Sequence, residues 1–352
     1  MPDAEIKITW KGRLLALLIG LLVLVIASEG VIRIVYPTWD EFFAGRFMTI
    51  EHVPEYGDVA VGRKGFDGYF SQNNGDFRAR IRINAFGLRN DEPVTAADGK
   101  VWVIGDSMAF GWGVEATETY TAVISDALGA PAYNIASPGT NVCGYQALAG
   151  RIPADNKPRA VIVGLILEND LMQYDCTRYA NKPARQQNPD LFSLGTLKIT
   201  LTEHSALYNF FTVAMKRVDI IREALIALGV VNKSHAYRNQ LDGLDVERIT
   251  KSTAAELQRL KAMFDPATPF AVMIAPARFE IANDDPKFKI IRQSMVSALQ
   301  HHGIAYIDPI DAFRAAGFKD THFVHDGHWS ANGHRIAGTA IADWLRSNAP
   351  LN

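Results

Sequence analysis

Short runs of consecutive apolar residues recur along the chain and alternate with longer segments in which apolar residues repeat every three or four positions. The runs are typical of strands buried on both faces, and the longer segments are typical of helices with one buried face. This alternation predicts a parallel sheet covered by helices on both sides, a three-layer α/β/α fold. The predicted strands are 101–104, 130–136, 159–167, 270–276 and 304–308. Three helices are predicted at 206–230, 246–264 and 286–301. A further predicted helix is capped by Thr117 and ended by Gly129, and the last predicted helix is capped by Ser330.

The most apolar part of the chain lies near its N-terminus. Residues 14–27 are all apolar, and a second apolar run at 31–36 follows after three interrupting residues. The combined segment is long enough to span a membrane as a helix. Glu29 and Arg33 lie one helical turn apart, so we expect them to pair near the outer interface. The pattern predicts a membrane anchor that remains attached to the protein.

The charges that flank this segment predict its orientation. The basic flank comprises Lys7, Lys11 and Arg13, and the acidic flank comprises Asp40 and Glu41. Basic residues favour the cytoplasmic side, which predicts a single-pass protein of the inner (cytoplasmic) membrane with a periplasmic main domain. The alternative is a cleaved signal peptide, with Val25 and Ala27 as the small residues before the cut. Both interpretations export the rest of the chain.

The pattern divides the chain into three parts. Residues 1–39 form the predicted tail and anchor, and residues 40–98 form an entry region with short strands, including an alternating segment at 78–84. Residues 99–352 form the α/β domain, with a helical insertion at about 175–250 that is predicted to cap the sheet edge.

Composition is compatible with this organisation and excludes one class of partner. The chain has 352 residues, of which 48% are hydrophobic, and this is ample for a large core. Its formal net charge is −2, so it lacks the basic field expected of a nucleic-acid-binding protein.

Candidate chemistry follows two of the predicted elements. Gly105, Asp106 and Ser107 come directly after the strand 101–104, at the edge where open α/β sheets bind ligands. A serine there can act as a nucleophile if a base reaches it. His328 lies in the loop before the last helix, which should place it at the same edge.

Four short blocks in this chain resemble those of the SGNH/GDSL hydrolases, whose defining residues are a serine, a glycine, an asparagine and a histidine. They are Ser107, Gly139, Asn169 and His328, in the family's order. The blocks read Gly105-Asp106-Ser107, Asn134-Ile135-Ala136-Ser137-Pro138-Gly139, Glu168-Asn169-Asp170 and Asp326-Gly327-His328. Four weak motifs in order, each after a suitable element, are more specific than any one.

Two blocks differ from the usual family pattern. The third often begins with glycine, and Leu167 holds that position here. The last usually has two residues between its aspartate and histidine, whereas only Gly327 separates Asp326 from His328. His325 holds the usual aspartate position, and Asp320 is the other nearby carboxylate.

The resemblance implies an SGNH fold with a flavodoxin-like sheet and a serine esterase activity that needs no cofactor. Ser107 would be the nucleophile, His328 the general base and Asp326 its orienting partner. The backbone N–H groups of Ser107 and Gly139 and the side-chain amide of Asn169 would form the oxyanion hole. The implied substrate is an O-acyl, above all acetyl, ester on a small molecule or a cell-envelope carbohydrate.

Several alternatives remain open from the sequence. The same residues would serve an O-acyltransferase, and a non-catalytic envelope scaffold or glycan-binding protein is a further possibility. His322, His325 and His328 recur every third residue and could hold a metal ion, although Asp326-Gly327 would break a helix there. Cys143 and Cys176 follow the Gly139 and Asn169 loops and could form a disulfide in an exported protein.

Overall fold

The computed structural model of the protein describes residues 9–72, 76–180, 194–214 and 245–349, together with the single positions 224, 227 and 243. The chain forms two compact units. One comprises residues 1–43 and 188–236, and the other comprises residues 44–187 and 237–352.

Within its described residues, the larger unit contains nine strands in three sheets. The strands are β1 (Met48–Val53), β2 (Gly57–Gly62), β3 (Asp67–Ser71), β4 (Arg78–Arg82), β5 (Val101–Ile104), β6 (Ala132–Asn134), β7 (Ala160–Ile166), β8 (Phe270–Ala275) and β9 (Ala305–Ile307). Strands β1 and β2 form one antiparallel hairpin and β3 and β4 form another. The last five strands form a parallel sheet in the order β6-β5-β7-β8-β9. This flavodoxin-like order confirms the predicted parallel sheet.

The described helices surround this sheet or belong to the smaller unit. They are α1 (Trp10–Val35), α2 (Ser107–Phe110), α3 (Tyr120–Leu128), α4 (Val142–Gly150), α5 (Cys176–Ala180), α6 (Leu194–His204), α7 (Ala206–Ala214), α8 (Val246–Lys261), α9 (Arg278–Ala282), α10 (Pro286–His301), α11 (Ile310–Ala316), α12 (Phe318–Thr321) and α13 (Ala331–Asn348). Helices α4, α8 and α10 pack together, as do α3 and α13.

The strand β5 shows why this sheet needs helices on both faces. All four of its side chains are buried. Trp102 and Ile104 join an apolar cluster with residues of α4, α8 and α10, whereas Val101 and Val103 join a second cluster with residues of α3 and α13. The two clusters make the sheet the middle layer of the predicted α/β/α fold, which is confirmed.

One predicted helix begins at a different residue in the structure, and another extends beyond the described residues. The N-cap of α3 is Thr119 and not Thr117, because residues Ala116–Glu118 form a separate 3₁₀ turn and the Thr119 hydroxyl accepts the N–H of Ala122 at 3.2 Å. The predicted helix 206–230 is described as a helix from Ala206 to Ala214, and most of its remainder lies outside the described residues.

The smaller unit contains α1, α6 and α7. Helix α1 is long and apolar enough to cross a membrane. Glu29 pairs with Arg33 at 2.7 Å, as predicted. The same carboxylate accepts hydrogen bonds from the hydroxyl of Ser205 and from the N–H groups of Ala206 and Leu207, each at 2.9 Å. A side chain of α1 therefore satisfies the free donors at the first turn of α7.

Candidate active site

The strand β5 ends in a tight turn that presents Ser107. A side chain at Gly105 would approach the Cβ of Ala109 to 2.6 Å, so the turn requires glycine. Asp106 is the N-cap of the short helix α2, and its carboxylate accepts the N–H of Met108 at 3.0 Å. Ser107 is the first residue of that helix, directly beyond the carboxyl end of the strand.

A buried arginine holds the loop that follows Ser107. The Arg89 guanidinium donates to the carbonyl groups of Phe110, Gly111 and Val114, and the last of these bonds measures 2.6 Å. Burial lowers the pKa of Arg89 to about 10, which still leaves it charged at neutral pH. The carbonyl dipoles satisfy this charge, and the segment after the nucleophile is fixed as a result.

His328 reaches the nucleophile from the loop before α13. Its backbone carbonyl accepts the N–H of Phe323 at 2.8 Å, and a β-bridge joins the neighbouring His322 and Trp329. The His328 Nε2 lies 2.8 Å from Ser107 Oγ. The imidazole also stacks on the indole of Trp112, with 5.3 Å between the ring centroids.

The carboxylate of Asp326 completes a hydrogen-bonded chain despite the short spacing of the last block. Its Oδ1 contacts the Nδ1 of His328 and also accepts the His328 backbone N–H at 3.3 Å. Gly327, between them, has a φ of +83°, a conformation that side-chain-bearing residues rarely adopt. The glycine thus allows the carboxylate to fold back under the imidazole ring.

Charge and burial shift the pKa values of Asp326 and His328 in opposite directions. Burial alone would lower the pKa of His328, but the Asp326 carboxylate outweighs it and the pKa is raised. Burial alone would raise the pKa of Asp326, but His328 outweighs it and the pKa is lowered. Each partner therefore favours the charged form of the other.

The three predicted oxyanion donors follow the carboxyl ends of the neighbouring strands β5, β6 and β7. Gly139 has a φ of +75° and open space where a Cβ would project. Its loop is held against the nucleophile turn because Ser137 N–H donates to the Gly105 carbonyl at 3.0 Å. The Asn169 side-chain amide donates to the Asp106 carboxylate at 3.3 Å, so it lies beside the residue that precedes Ser107.

Two buried carboxyl groups, Asp106 after β5 and Asp170 after β7, were not identified as site residues from the sequence. Burial raises the pKa of Asp106 to about 6, and burial together with the Asp106 charge raises the pKa of Asp170 well above its usual value. Asp170 accepts the Tyr145 hydroxyl at 2.7 Å and the N–H of Ile166 at 2.8 Å. Both residues were visible in the motifs, but their burial depends on the fold.

Cys143 and Cys176 form a disulfide, with 5.1 Å between their Cα atoms. The bond joins α4, which follows the Gly139 loop, to α5, which follows the Asn169 loop. It therefore connects the two segments that carry predicted oxyanion donors.

The three histidines of the possible metal site have separate partners. His322 is buried with its Nδ1 2.9 Å from the Thr321 hydroxyl, and His325 contacts the Asp76 carboxylate at 2.7 Å. His328 lies between Ser107 and Asp326. Among the described residues, no group of three or more His, Cys, Asp or Glu side chains is placed to hold a metal ion.

Comparison with known proteins finds similarity only among solved structures. No family model and no curated protein matches the sequence. A member of the lipolytic protein G-D-S-L family from Veillonella parvula is 11% identical, with a TM-score of 0.40, over 70% of this chain and 98% of its own. A catalytic mutant of an acetylxylan esterase from Geobacillus stearothermophilus is 13% identical, with a TM-score of 0.39, over 72% of this chain and 95% of its own.

A carbohydrate esterase family 2 enzyme with a carbohydrate-binding domain, from Corynascus thermopiles, is also similar. It is 14% identical, with a TM-score of 0.42, over 71% of this chain and 66% of its own. The structural neighbours thus include G-D-S-L family proteins, which the sequence blocks resemble, and carbohydrate esterases. A likeness this distant assigns no activity to the chain.

Proposed function

We propose that this protein is a serine ester hydrolase that cleaves O-acyl esters through an acyl-enzyme on Ser107. The observation that carries the proposal is the continuous chain of contacts from Ser107 Oγ to His328 Nε2 and from His328 Nδ1 to Asp326. A nucleophile, a base within hydrogen-bond distance and a group that orients the base are the three requirements of this chemistry.

The acylation step follows from these contacts. His328 Nε2 takes the proton of Ser107 Oγ as the oxygen attacks the ester carbonyl carbon, and the carbonyl electron pair moves onto its oxygen. Asp326 stabilises the imidazolium that forms. When the tetrahedral intermediate collapses, the bond to the alcohol oxygen breaks and His328 returns the proton to the departing alcohol.

Deacylation repeats the sequence with water as the nucleophile. His328 takes a proton from the attacking water, the acyl group leaves as a carboxylic acid, and Ser107 recovers its proton. In both steps the negative oxygen of the intermediate would be bound by the N–H groups of Ser107 and Gly139 and by the Asn169 amide. Losing one such donor typically lowers kcat by about 10²- to 10³-fold.

The proposed substrate is an acetylated carbohydrate of the cell envelope. The proposal is made by analogy with membrane-anchored members of the family that the sequence blocks resemble. The apolar helix α1 would hold the enzyme at the inner membrane, with residues 40–352 on the periplasmic side.

The test is hydrolysis of p-nitrophenyl acetate by the full-length protein in detergent. We expect turnover by the wild type and none above background by Ser107→Ala, whose circular dichroism and thermal unfolding should match the wild type. A Ser107→Ala protein that retains turnover would overturn the proposal. Acetylated xylan and acetylated peptidoglycan, each followed by acetate release, then test the carbohydrate class.

A further inference from the structure

The hairpin β3–β4 lies outside the central sheet but packs against the candidate active site. Gln72 directly follows β3, and Asp76 lies two residues before β4. The Gln72 backbone N–H donates to the Phe77 carbonyl at 3.0 Å. Phe77 packs on Phe323 with 5.1 Å between ring centroids, and Phe70 packs on Trp112 at 4.5 Å. The hairpin therefore contacts the segments that carry both His328 and Ser107.

Two polar contacts connect the hairpin to the loop 323–328. The Gln72 side-chain amide donates to Asp326 Oδ2, the oxygen that does not face His328. The Asp76 carboxylate accepts the backbone N–H of His325 at 2.9 Å and lies 2.7 Å from its Nδ1. The loop is thus held at two adjacent residues, one of which is the proposed triad carboxylate.

The Gln72 contact fixes the orientation of the Asp326 carboxylate, which the short spacing between Asp326 and His328 leaves open. The Asp326 side chain is 10% exposed, so an unpaired oxygen on its carboxylate would be costly. With a single glycine between Asp326 and His328, the local backbone permits several carboxylate orientations. A neutral amide donor at Oδ2 fixes one of them and introduces no charge that would compete with His328.

We propose that Gln72, directly after β3, is a positioning residue that orients Asp326. This inference rests on the proposed function, because the orientation of Asp326 matters for rate only if His328 acts as the base. Gln72 acts through Asp326 and does not contact the reacting atoms.

The kinetic test compares two variants of Gln72. Gln72→Leu keeps the volume and removes the donor, and we expect kcat to fall about tenfold or more with KM unchanged, since no substrate contact is lost. Gln72→Glu places a second carboxylate beside Asp326. The added negative charge should raise the pKa of His328 and move the acid limb of kcat/KM to higher pH.

The matched control is Asp67→Asn in the same hairpin. Asp67 pairs with Arg80 at 2.7 Å on the exposed side, so this variant removes an exposed ion pair of the hairpin and leaves the Gln72–Asp326 contact in place. We expect wild-type kcat and an unshifted pH profile. The proposal is overturned if Gln72→Leu and Gln72→Glu behave like this control.

A spectroscopic measurement separates this proposal from the proposed function. The proton between His328 Nδ1 and Asp326 should give a low-field ¹H NMR resonance, assigned by its absence in Asp326→Asn. In folded Gln72→Leu protein the resonance should move upfield or broaden, and in Asp67→Asn it should not. If the wild type has no esterase activity but this resonance responds to Gln72→Leu, the proposed function fails and the positioning role stands. An unchanged resonance refutes the role.

Discussion

At the scale of single residues, the site depends on opposing effects of burial and charge on two side chains. His328 and Asp326 are both partly removed from water, and each counteracts the cost of burying the other's charge. The protonated imidazole is therefore favoured, whereas the proposed general base must be neutral before it can accept the Ser107 proton.

The first prediction concerns pH. Because the pKa of His328 is raised above its usual 6.5, kcat/KM should rise with pH and reach half of its plateau above pH 6.5. A pH–rate profile with p-nitrophenyl acetate measures this midpoint. Since the substrate does not ionise, a midpoint clearly below 6.5 would contradict the electrostatic role given to Asp326.

The second prediction concerns Asp326→Asn. The neutral amide can no longer stabilise the imidazolium and can favour the wrong imidazole tautomer, so kcat should fall by about 10⁴-fold, as the same type of substitution does in a Ser-His-Asp protease. Any residual activity should show an acid limb at lower pH, because the charge that raised the His328 pKa is gone. Asp320→Asn is the control and should retain activity. Near-normal turnover by Asp326→Asn would indicate a Ser-His dyad.

At the scale of elements, the first turn of helix α7 is capped by a side chain of helix α1, which is distant in the sequence. Helix α7 begins at Ala206, and the carboxylate that accepts its first N–H groups belongs to Glu29 of α1. The sequence predicted that Glu29 pairs with Arg33, because that pairing is local. It did not indicate that Glu29 would also cap α7, since capping residues are recognised from their immediate neighbours.

The third prediction concerns this contact. Glu29→Ala removes the acceptor for Ser205, Ala206 and Leu207, so the first turn of α7 should lose its hydrogen bonds to α1. Hydrogen exchange of amides 206–214 should accelerate by about tenfold, as expected for a lost cap. Ile26→Ala, an exposed substitution on the same helix, is the control and should leave exchange unchanged. Equal exchange in both variants would show that Glu29 does not stabilise α7.

At the scale of the whole molecule, the chain combines a candidate membrane helix with a disulfide-bonded α/β unit. A disulfide is expected to persist in an oxidising compartment, and the charges that flank α1 favour export of the rest of the chain. The two observations are independent, and both support a periplasmic location for the proposed active site.

The fourth prediction concerns topology. A C-terminal alkaline phosphatase fusion should be active, whereas the corresponding green fluorescent protein fusion should not fluoresce, because the C-terminus is proposed to lie outside the cytoplasm. The purified protein should retain residues 1–39, and its Cys143 and Cys176 should resist alkylation until reduced. N-terminal sequencing that begins near Ser28 would instead identify a cleaved signal peptide.

The sequence by itself determined the elements whose signals are local. The buried strand β5 is visible as four apolar residues, α10 as the periodic segment Pro286–His301, and α1 as an apolar run with charged ends. The four blocks likewise predicted the fold, which is confirmed, and nominated Ser107, Asp326 and His328, whose roles remain a proposal. Such features depend on neighbours within a few positions, and a single chain records them directly.

Only the tertiary structure decided which distant groups meet. Gln72 and Asp326 are 254 positions apart, and no periodicity or motif connects a glutamine at the end of a hairpin with the last block. The tertiary structure likewise decided that Arg89 is buried, that Cys143 pairs with Cys176 and that Glu29 contacts α7. The physical reason is that a hydrogen bond or a disulfide depends on distances in space, which a linear sequence specifies only through the complete fold.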